Sequence, residues 1–500
     1  VNTQNDDIPI VLLTCNRPEL LRKTIDSLLK VRGIKKSNII ISQDGALAEI
    51  AEIAKQSSLT LIQNLNGLRL RGGASTDGAS RIAKHYKYSL TSVFNQYPNA
   101  NSLIIIEDDL LFSPDFYEYF QYNAPILQFD STAFVLSAWS DNGFLDKIHD
   151  PYELRRTDYF PGLGWLLTRR LYQEELEGKW PNSHWDHWLR APETSKGRDI
   201  IYPQMPRSYH NGIKGTFMNL ETHNKYFRDI GYNTNTSIHW PPPATTTPGI
   251  PSQQQPQQGR DMGNTLWYLK GHYKVDTFRI EQLAKSCKHV NSVKDLLSYT
   301  DEIICLWVSV NPSCESPHVP FSPIAAFFGL WHEHRRGNHQ GLHEFYWLQN
   351  NYILLFNIYN DNSSNKEKKN TYKYLMPNHI KPLQNTNQFD KNLLLNIKQK
   401  TIKSKIIKAN KPGLNCNTIC NNIGLKCQVQ DLYIINTCNI VKEYFACNIC
   451  TNSNGLEQPA YVDPIAEEKY LPGQCLVNTG TDLSTCEASH ISTYRLCPCV

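Results

Sequence analysis

The 500-residue sequence lacks two features of membrane and secretory targeting. It has no run of about eighteen apolar residues, which excludes a transmembrane helix within these residues. It also has no N-terminal segment with the charge and hydropathy pattern of a signal peptide. Because the sequence begins at Val1 rather than methionine, we expect any membrane attachment to use an N-terminal anchor that is not part of this chain.

An excess of charge of one sign is also absent. The 51 Lys and Arg residues nearly balance the 47 Asp and Glu residues, for a net charge of +4. A dedicated nucleic-acid-binding protein concentrates basic residues on one face, so the sequence predicts no nucleic-acid partner. Apolar residues make up 40% and aromatic residues 11%, which is enough to build cores in about two to four domains.

Cysteine is rare in the first four-fifths of the chain and dense at its end. Ten of the 14 cysteines lie between Cys416 and Cys499. This density predicts a disulfide framework formed in a secretory or extracellular compartment. A zinc site is the alternative, because Cys447 and Cys450 have the spacing of metal ligands. The other eight cysteines of the tail contain no matching doublet, which favours disulfides.

Strand and helix signals alternate over the first 240 residues. This alternation predicts a parallel α/β sheet with helices on both faces. Helical periodicity extends from Pro18 to Lys30 and from about Ser80 to Phe94, and a further helix is expected to start with Ser113 as N-cap and Pro114 in its first turn. The predicted strands are residues 8–14, 38–42, 59–62, 102–106 and 133–136.

Composition divides the chain into five parts. A Pro- and Gln-rich stretch and an Asn- and Lys-rich stretch both lack the apolar residues of a core, so each is expected to be a linker or spacer. The lysines of the second stretch are either a basic patch or a solvated face, and the second interpretation is favoured. The predicted parts are 1–240 (α/β domain), 241–262 (linker or loop), 263–360 (α+β extension), 361–411 (spacer) and 412–500 (Cys-rich module).

Three consecutive acids, Glu107, Asp108 and Asp109, directly follow the apolar strand at 102–106. Ligands of open α/β sheets bind beyond the carboxyl ends of the strands. Carboxylate oxygens suit hard divalent cations, and a diphosphate needs a cation beside such a cluster. The acids therefore predict a site for a metal and a nucleotide diphosphate. The alternative is a helix cap or a solvated turn, which the apolar strand and the separate cap at Ser113 disfavour.

A second candidate is the segment Trp185-Asp186-His187-Trp188. An aspartate between tryptophans is partly shielded from water, which suits its carboxylate to general-base work. The alternative is a packed aromatic cluster with an incidental acid. His187 is expected to be a surface residue of a helix rather than a base or a metal ligand.

Two glycine-containing loops complete the candidate features. Gly162-Leu163-Gly164 predicts a tight loop in which the backbone can approach a neighbouring group closely. The loop either lies near a ligand or is a plain turn. The segment at 72–78 lacks the lysine of a Walker loop and the Rossmann spacing. It is expected to be a mobile loop before the helix that carries His85.

These segments occur in one order between residue 8 and about residue 360. The motifs are Leu13-Thr-Cys-Asn-Arg-Pro18, Ser42-Gln-Asp44, Ile82-Ala-Lys-His-Tyr86, Glu107-Asp-Asp-Leu110, Pro114-Asp-Phe-Tyr-Glu-Tyr-Phe120, Ser137-Ala-Trp-Ser-Asp-Asn-Gly143, Phe160-Pro-Gly-Leu-Gly-Trp165, Lys179-Trp-Pro181, Trp185-Asp-His-Trp188, Arg207-Ser-Tyr-His210 and Arg336-Gly-Asn-His-Gln-Gly-Leu342. Together they resemble the β-1,2-N-acetylglucosaminyltransferases of the N-acetylglucosaminyltransferase I type. They also resemble protein O-linked-mannose β-1,2-N-acetylglucosaminyltransferase, to which the last two motifs are closer.

The resemblance implies a GT-A fold and an inverting, Mn²⁺-dependent transfer of N-acetylglucosamine from UDP-GlcNAc to O-2 of mannose. The implied partners are this donor and a mannose-terminated glycoprotein, either an N-glycan arm or an O-linked mannose. The implied location is the Golgi lumen, as a type II membrane protein if the anchor precedes Val1. A non-catalytic glycan-binding protein on a GT-A core is the alternative, and the intact acids count against it. A hydrolase is less favoured still, because glycosidases need two paired carboxylates.

The resemblance also implies roles for residues that occupy the motif positions. Asp186 would be the catalytic base and Asp109 the metal ligand, while Glu107 and Asp108 would contact the ribose or the sugar. The uridine part of the donor would be contacted by Arg17, Asp44 and His85. The remaining donor and acceptor contacts would come from Leu163, Trp185 and Arg190.

The sequence departs from the family pattern at three places. Gly45 stands where the N-acetylglucosaminyltransferase I pattern has a cysteine, so Cys15 is expected to lack that partner. Another usual cysteine is replaced within Val135-Leu136, and each lost bridge would cost about 2–4 kcal/mol. Residues 215–217 differ from the usual loop near the donor. The tail instead resembles the Cys-rich C-terminal region of N-acetylglucosaminyltransferase V and is expected to be an accessory module.

Overall fold

The computed structural model of the chain describes residues 7–65, 77–240, 272–310, 321–348, 351–358, 372–384, 388–389, 404–453, 455–478 and 484–500. The chain divides into two compact units, residues 1–388 and 389–500. Residues 72–76 of the predicted loop at 72–78, the linker at 241–262 and most of the spacer at 361–411 lie outside the described residues, whereas Asp77 and Gly78 begin a helix. The part boundaries predicted from composition stay predictions. Among the described residues, no helix combines the length and the apolar character needed to cross a membrane.

An eight-stranded mixed sheet organises residues 7–240. The strands of this region are β1 (Ile10–Thr14), β2 (Ile39–Asp44), β3 (Thr60–Asn64), β4 (Ser102–Glu107), β5 (Leu110–Phe112), β6 (Ala133–Ser137), β7 (Leu154–Thr157), β8 (Trp165–Thr168), β9 (Asp199–Pro203) and β10 (Ser208–His210). The strand order of the large sheet is β3-β2-β1-β4-β8-β6-β9-β7, and β5 pairs with β10 in a separate two-stranded sheet. The strand that precedes the acids, β4, is therefore central, as predicted.

Helices lie between many strands of this region. They are α1 (Pro18–Leu28), α2 (Ala48–Ser57), α3 (Gly78–Gln96), α4 (Phe116–Asn123), α5 (Ile126–Phe129), α6 (Arg169–Leu171), α7 (Trp185–Arg190), α8 (Pro192–Ser195) and α9 (Leu220–Tyr226), with a π-helical turn at Tyr172–Leu176. The predicted helices at 18–30 and 80–94 are confirmed within a few residues.

The predicted parallel pairing is present in one half of the large sheet, but the sheet as a whole is mixed, so the prediction of a parallel sheet is wrong for the whole sheet. Strands β1 to β4 pair in parallel, whereas β8 runs antiparallel to both of its neighbours and β7 antiparallel to β9. Parallel pairing needs a crossover connection, usually a helix. The chain between β6 and β8 contains β7 but no helix, so it returns in the opposite direction.

Alternate side chains of the central strands enter two different cores. Leu12 of β1 and Ile106 of β4 join the core that contains α1, α2 and α4. Val11 and Ile105 join the opposite core, to which α3 and α7 contribute. This period of two is the expected pattern of a sheet buried on both faces. The predicted helices on both faces are confirmed, and α3 and α7 lie on the same one.

The predicted helix start at Ser113 is wrong by two or three residues. Helix α4 begins at Phe116, with Asp115 at the N-cap position. The carboxylate of Asp115 does not cap the helix, because it accepts hydrogen bonds from Arg207 Nε (2.8 Å), Asn233 Nδ2 (2.7 Å) and Trp240 Nε1 (3.0 Å). Tertiary contacts at this fully buried ion pair therefore override the local capping signal.

The predicted extension forms a second sheet within the first unit. Its strands, in sheet order, are β11 (Lys288–Val290), β12 (Ile303–Val308), β14 (Asn351–Asn357) and β13 (Leu342–Trp347). Helices His272–Ser286 and Ser322–Phe328 accompany it. Cys287 and Cys305 form a disulfide, which the sequence analysis did not predict.

A buried polar network joins this extension to the large sheet. His339 hydrogen-bonds through Nε2 to Asp199 Oδ2 and through Nδ1 to the Tyr372 hydroxyl, both at 3.1 Å. Arg156 also reaches Asp199, at 3.3 Å. Burial alone would lower the pKa of His339, but the carboxylates of Asp199 and Asp158 outweigh it and raise that pKa above its ordinary value.

This network predicts a pH-dependent part of the stability. A folded-state pKa above the unfolded value means that folding favours protonation of His339. The resulting stabilisation is fully present below the ordinary histidine pKa and is lost as the pH rises through the folded-state pKa. The His339→Gln variant, which keeps a hydrogen-bonding side chain, is expected to melt a few degrees below wild type at pH 5.5. The difference should shrink at pH 8.5 in thermal melts. An equal difference at both pH values would contradict this prediction.

The second unit is a disulfide-rich module. Its five-stranded sheet has the order β15 (Lys405–Lys408), β19 (Thr493–Cys499), β17 (Ala460–Val462), β18 (Cys475–Asn478) and β16 (Cys450–Ser453), with helices Cys416–Asn421, Val429–Ile435 and Cys438–Tyr444. All ten cysteines of the tail are paired, which confirms the predicted framework. The pairs are Cys416–Cys497, Cys420–Cys499, Cys427–Cys486, Cys438–Cys450 and Cys447–Cys475. The alternative of a zinc site at Cys447 and Cys450 is therefore set aside.

The sequence separations of these bridges predict unequal contributions to stability. Cys416–Cys497 spans 81 residues and Cys438–Cys450 spans 12. Chain entropy predicts a loss of about 4.5 kcal/mol for the first bridge and about 3 kcal/mol for the second when each pair is replaced by serine. Chemical denaturation of the module followed by far-UV circular dichroism tests this order. Equal losses for the two matched double variants would show that loop length does not set the contribution.

Candidate active site

The candidate site begins at the carboxyl ends of three neighbouring parallel strands. Thr14 ends β1 opposite Gln43 of β2, and Leu13 pairs with Glu107 at the end of β4. Asp44 is the last residue of β2. The acids of the sequence motifs therefore meet at the edge of the sheet where ligands of open α/β sheets bind.

Arg17 and Thr14 hold the acid cluster together. Asp108 is almost fully buried, and its carboxylate accepts hydrogen bonds from the Thr14 hydroxyl (2.6 Å) and from Arg17. The other terminal nitrogen of Arg17 donates to Asp109 Oδ2 at 2.7 Å. Arg17 was predicted to contact the uridine, and the structure places it against the two aspartates.

The electrostatics of the cluster are those of acids crowded in a buried site. Burial and the charge of Asp109 raise the pKa of Glu107 to about 7. Burial also raises the pKa of Asp108 to about 6, although Arg17 opposes the shift. Burial by itself would lower the pKa of Arg17, but Asp109 and Asp108 raise it. Among these groups one guanidinium faces three carboxylates, so the cluster favours a further cation.

The oxygen atoms of this cluster fit a divalent metal. Asp109 Oδ1 is buried and has no hydrogen-bond partner among the described residues. A buried carboxylate oxygen without a donor is costly unless a cation approaches it. Carboxylate ligands suit Mg²⁺ and Mn²⁺. Asp109 is therefore the residue best placed to hold such an ion, and its role as the metal ligand stays a prediction.

A second group of predicted residues lies beside the cluster. Asp44 pairs with Arg81 at 3.1 Å, and His85 Nε2 lies 3.0 Å from the carbonyl oxygen of Ser42. Burial lowers the pKa of His85, while the charge of Asp44 opposes the shift. The free thiol of Cys15 lies between the two groups: burial, Asp44 and Asp108 raise its pKa. Among the described cysteines, Cys15 has no disulfide partner, which agrees with the prediction that the family's usual bridge to position 45 is missing.

Helix α7 carries the candidate base at a partly exposed position. The Asp186 side chain is 34% exposed. Its Oδ2 accepts a hydrogen bond from Arg190 Nη1 at 2.7 Å, while Arg190 Nε donates to the carbonyl oxygen of Phe160 at 2.9 Å. The described residues donate no hydrogen bond to Asp186 Oδ1. The His187 side chain is 72% exposed, so the prediction that it is a surface residue is confirmed.

An aromatic stack connects this helix to the acid cluster. The rings of Tyr86 and Trp185 stack with centroids 3.9 Å apart, and the Tyr86 hydroxyl donates a hydrogen bond to Glu107. Burial raises the pKa of Tyr86 well above its ordinary value, and the charges of Glu107, Asp186 and Asp109 act in the same direction. Tyr86 therefore joins helix α7 to the acid cluster through one ring stack and one hydrogen bond.

Trp185 itself is a packing residue of the site. Only 8% of Trp185 is exposed, and it stacks on Trp165 and Trp180 as well as on Tyr86. The predicted contact of Trp185 with a ligand is therefore limited to a small exposed part. The alternative of a packed aromatic cluster describes Trp185 well, with Asp186 at the edge of the cluster.

The predicted tight loop at Leu163 is present. Gly162, Leu163 and Gly164 all have positive φ angles, of 73°, 57° and 89°. Left-handed backbone is unusual for leucine, and two side-chain hydroxyls hold the turn. Ser208 Oγ donates to the carbonyl oxygen of Leu163 (2.6 Å) and Ser137 Oγ to that of Gly162 (3.1 Å). The loop thus lies next to β10.

Four residues that contact the predicted site residues were given no role from the sequence. Thr14, Tyr86 and His210 lie within motifs that carried the family resemblance. The motifs marked these positions but did not predict which residues they contact. Arg81 had no signal in the sequence. His210 Nε2 lies 3.6 Å from Asp109 Oδ2, a neighbour that only the pairing of β5 with β10 reveals.

Comparisons with known proteins show which family this chain resembles. The GNT-I family model matches residues 1–242. The α-1,3-mannosyl-glycoprotein 2-β-N-acetylglucosaminyltransferase of Arabidopsis thaliana is 33% identical over 307 residues, which cover 56% of this chain and 67% of the relative. The human α-1,6-mannosyl-glycoprotein 2-β-N-acetylglucosaminyltransferase is 24% identical over 266 residues, 42% of this chain and 59% of the relative.

A solved structure also overlaps part of the chain. The crystal structure of S. aureus TarS covers 44% of this chain and 38% of its own, with a TM-score of 0.28 and 12% identity. This overlap is too low to bear on the fold. The α/β sheet with acids beyond its central strand defines the class of an α/β protein with a candidate ligand site at the carboxyl ends of its strands.

The chain belongs to the GNT-I family of β-1,2-N-acetylglucosaminyltransferases. The family and the enzyme class predicted from the motifs are thereby confirmed. The chain spans about three-fifths of the human relative.

Proposed function

We propose that the chain is a GT-A enzyme that transfers N-acetylglucosamine from UDP-GlcNAc to O-2 of a mannose on a glycoprotein, with inversion at the anomeric carbon and with Mn²⁺ as cofactor. One observation carries this proposal: the helix of the candidate base is joined to the acid cluster. Trp185, the residue before Asp186, stacks on Tyr86 with centroids 3.9 Å apart, and the Tyr86 hydroxyl donates a hydrogen bond to Glu107. An acid cluster and a separate base are what such a transfer needs.

The acid cluster supports a metal-bound diphosphate. Asp109 would hold the cation through its unpartnered Oδ1. When bound, the cation would neutralise negative charge on the departing diphosphate. Glu107, held by Tyr86, and Asp108, held by Thr14, are fixed acceptors for hydroxyl groups of the ribose or of the sugar.

The position of Asp186 supports a role as the general base. The acceptor hydroxyl loses its proton to Asp186 Oδ1 while its oxygen forms a bond to the anomeric carbon. The bond from that carbon to the diphosphate oxygen breaks, and UDP leaves with the bonding electron pair. Arg190 holds Oδ2 at 2.7 Å, which orients the carboxylate and leaves Oδ1 to receive the proton.

The second group supports binding of the uridine part of the donor. Asp44 and His85 lie beside the acid cluster, at the end of β2 and on α3. The guanidinium of Arg17 pairs with both aspartates, where it can balance charge as the diphosphate enters. Leu163 lies on the loop that borders β10.

The acceptor and the location are further parts of the proposal. The two relatives are an α-1,3-mannosyl-glycoprotein and an α-1,6-mannosyl-glycoprotein 2-β-N-acetylglucosaminyltransferase, which supports a mannose of a glycoprotein as the acceptor. Either an N-glycan arm or an O-linked mannose is compatible with the proposal. The disulfide-rich module supports an oxidising compartment, and we place the protein in the Golgi lumen.

A donor and acceptor screen tests the proposed function. Purified protein is incubated with Mn²⁺, a panel of UDP- and GDP-sugars, and mannose-terminated N-glycan and O-mannosyl peptides. We expect UDP release and a new β-1,2 linkage only with UDP-GlcNAc, as measured by mass spectrometry and proton NMR. Binding of glycans without UDP release from any donor would instead indicate a non-catalytic glycan-binding protein.

A further inference from the structure

The disulfide-rich module contains a buried arginine that differs from the other buried arginines of the described residues. Four arginines of this part of the chain are buried: Arg155, Arg156, Arg207 and Arg495. The first three each pair with a carboxylate, at 2.9, 3.3 and 2.8 Å respectively. Arg495 is 0% exposed and forms no ion pair with a carboxylate of the described residues. Its charge therefore lacks the compensation that the other three have.

One edge of the Arg495 guanidinium has no acceptor. Nη1 donates to the carbonyl oxygens of Thr485 (2.7 Å) and Ala488 (2.6 Å). Nε and Nη2 are buried and have no hydrogen-bond partner among the described residues. These two nitrogens belong to the fixed fork of donors that the planar guanidinium presents. A buried charge with unmade hydrogen bonds is costly unless an acceptor of opposite charge meets it.

A second buried side chain without partners lies on the neighbouring strand. Gln458 is 0% exposed, and neither its Nε2 nor its Oε1 has a partner among the described residues. Ala460 of β17 pairs with Arg495 of β19, and the carbonyl oxygen of Pro459 accepts from the backbone N–H of Leu496 at 3.1 Å. Gln458 directly precedes this hydrogen bond. Two residues offset diagonally in this way across a strand pair are within reach of each other through long side chains.

The charge of Arg495 persists at neutral pH. Burial lowers the pKa of Arg495 to about 10, and the charges of Glu457 and Glu487 oppose the shift. Neither acid pairs with the guanidinium: the Glu457 carboxylate lies against the backbone of Gly455, and Glu487 is exposed. A water molecule would satisfy the two N–H groups but would not compensate the charge. The observations therefore favour an anion at this edge.

We propose that the Nε and Nη2 edge of Arg495 binds a small inorganic anion of the size of chloride, with the amide nitrogen of Gln458 as a further donor. The enclosure of these donor atoms excludes sugars and nucleotides, so the ion is enclosed as the module folds. The Cys427–Cys486 disulfide lies next to Thr485, whose carbonyl oxygen holds the opposite edge of the guanidinium. This inference concerns the second unit alone and does not depend on the proposed function.

The first test is hydrogen exchange of the full-length protein in chloride and in gluconate. An ion that binds only the folded module slows its opening by the factor 1 + [L]/Kd, where [L] is the ion concentration. For a site that is nine-tenths filled, exchange of peptides from β17 and β19 should be about tenfold slower in chloride. The ionic strength is kept constant, so that screening does not differ between the two buffers. Peptides from β12 and β14 of the first unit should exchange equally in both.

Three variants separate the bound ion from a general salt effect. Gln458→Glu supplies a carboxylate in place of the ion, so exchange in β17 and β19 should be slow in both buffers. Arg495→Met removes the charge from a side chain of similar length and should abolish the response to chloride. Lys469→Gln is the control, because it removes an exposed positive charge of the same module and should respond like wild type.

A crystal structure of the wild-type protein grown in bromide gives the second readout. We expect an anomalous peak beside Nε and Nη2 of Arg495 in wild type that is absent from Gln458→Glu. A water molecule or a carboxylate of the chain itself at this edge, without bromide, would overturn the inference. So would an equal response of wild type and Arg495→Met to chloride.

Discussion

The Asp109→Asn variant is expected to lose metal-dependent binding of UDP and, with it, sugar transfer. The amide of asparagine keeps the size of the side chain but removes its charge, and a neutral oxygen is a weak ligand for a hard divalent cation. Removal of outer partners of metal ligands already costs about 10–100-fold in affinity. We therefore expect a loss of more than about a hundredfold for the ligand itself, measured as the Mn²⁺ dependence of UDP binding by calorimetry.

The control for this variant is an exposed acid of the same domain. Asp26 lies on the exposed face of α1, and Asp26→Asn removes the same charge at a distance from the candidate site. This variant should bind UDP and Mn²⁺ like wild type. Retention of metal-dependent UDP binding by Asp109→Asn would remove Asp109 from the metal site.

The Asp186→Asn variant is expected to bind UDP and Mn²⁺ normally and to lose transfer. Asparagine can still accept the hydrogen bond from Arg190, so the helix should be unperturbed. It cannot take a proton from the acceptor hydroxyl, and general-base catalysis contributes about 10²–10⁴-fold to a rate. We expect kcat to fall by that factor with little change in the affinity for UDP.

His187→Gln is the matched control for this variant. His187 is the next residue of α7 and its side chain is 72% exposed, so its replacement should leave kcat near the wild-type value. If Asp186→Asn retained more than about a tenth of wild-type kcat, another residue would have to be the base.

The local sequence predicted those features that depend on neighbouring residues. The apolar runs predicted β1 to β4. The rule that ligands bind beyond strand ends predicted that Glu107 and Asp109 lie at a candidate ligand site. Cysteine density predicted the disulfide module. These inferences succeeded because strand burial and sheet-edge position follow from short segments of the chain.

Features that depend on contacts between residues far apart in the chain could not be predicted from the local sequence. The direction of β8 depends on a connection without a helix, and the start of α4 depends on a buried pair between Asp115 and Arg207. The proximity of His210 to Asp109 follows from a pairing between β5 and β10, two short strands separated by about 100 residues in the sequence. Only the fold brings such residues together.

The most direct test of the account is a crystal structure of the Asp186→Asn variant with Mn²⁺ and UDP-GlcNAc. The account predicts that the metal binds the Asp109 carboxylate and the diphosphate, while the side chain at position 186 faces the anomeric carbon on the side opposite the departing oxygen. A metal bound away from Asp109, or a sugar whose anomeric carbon faces away from position 186, would contradict it.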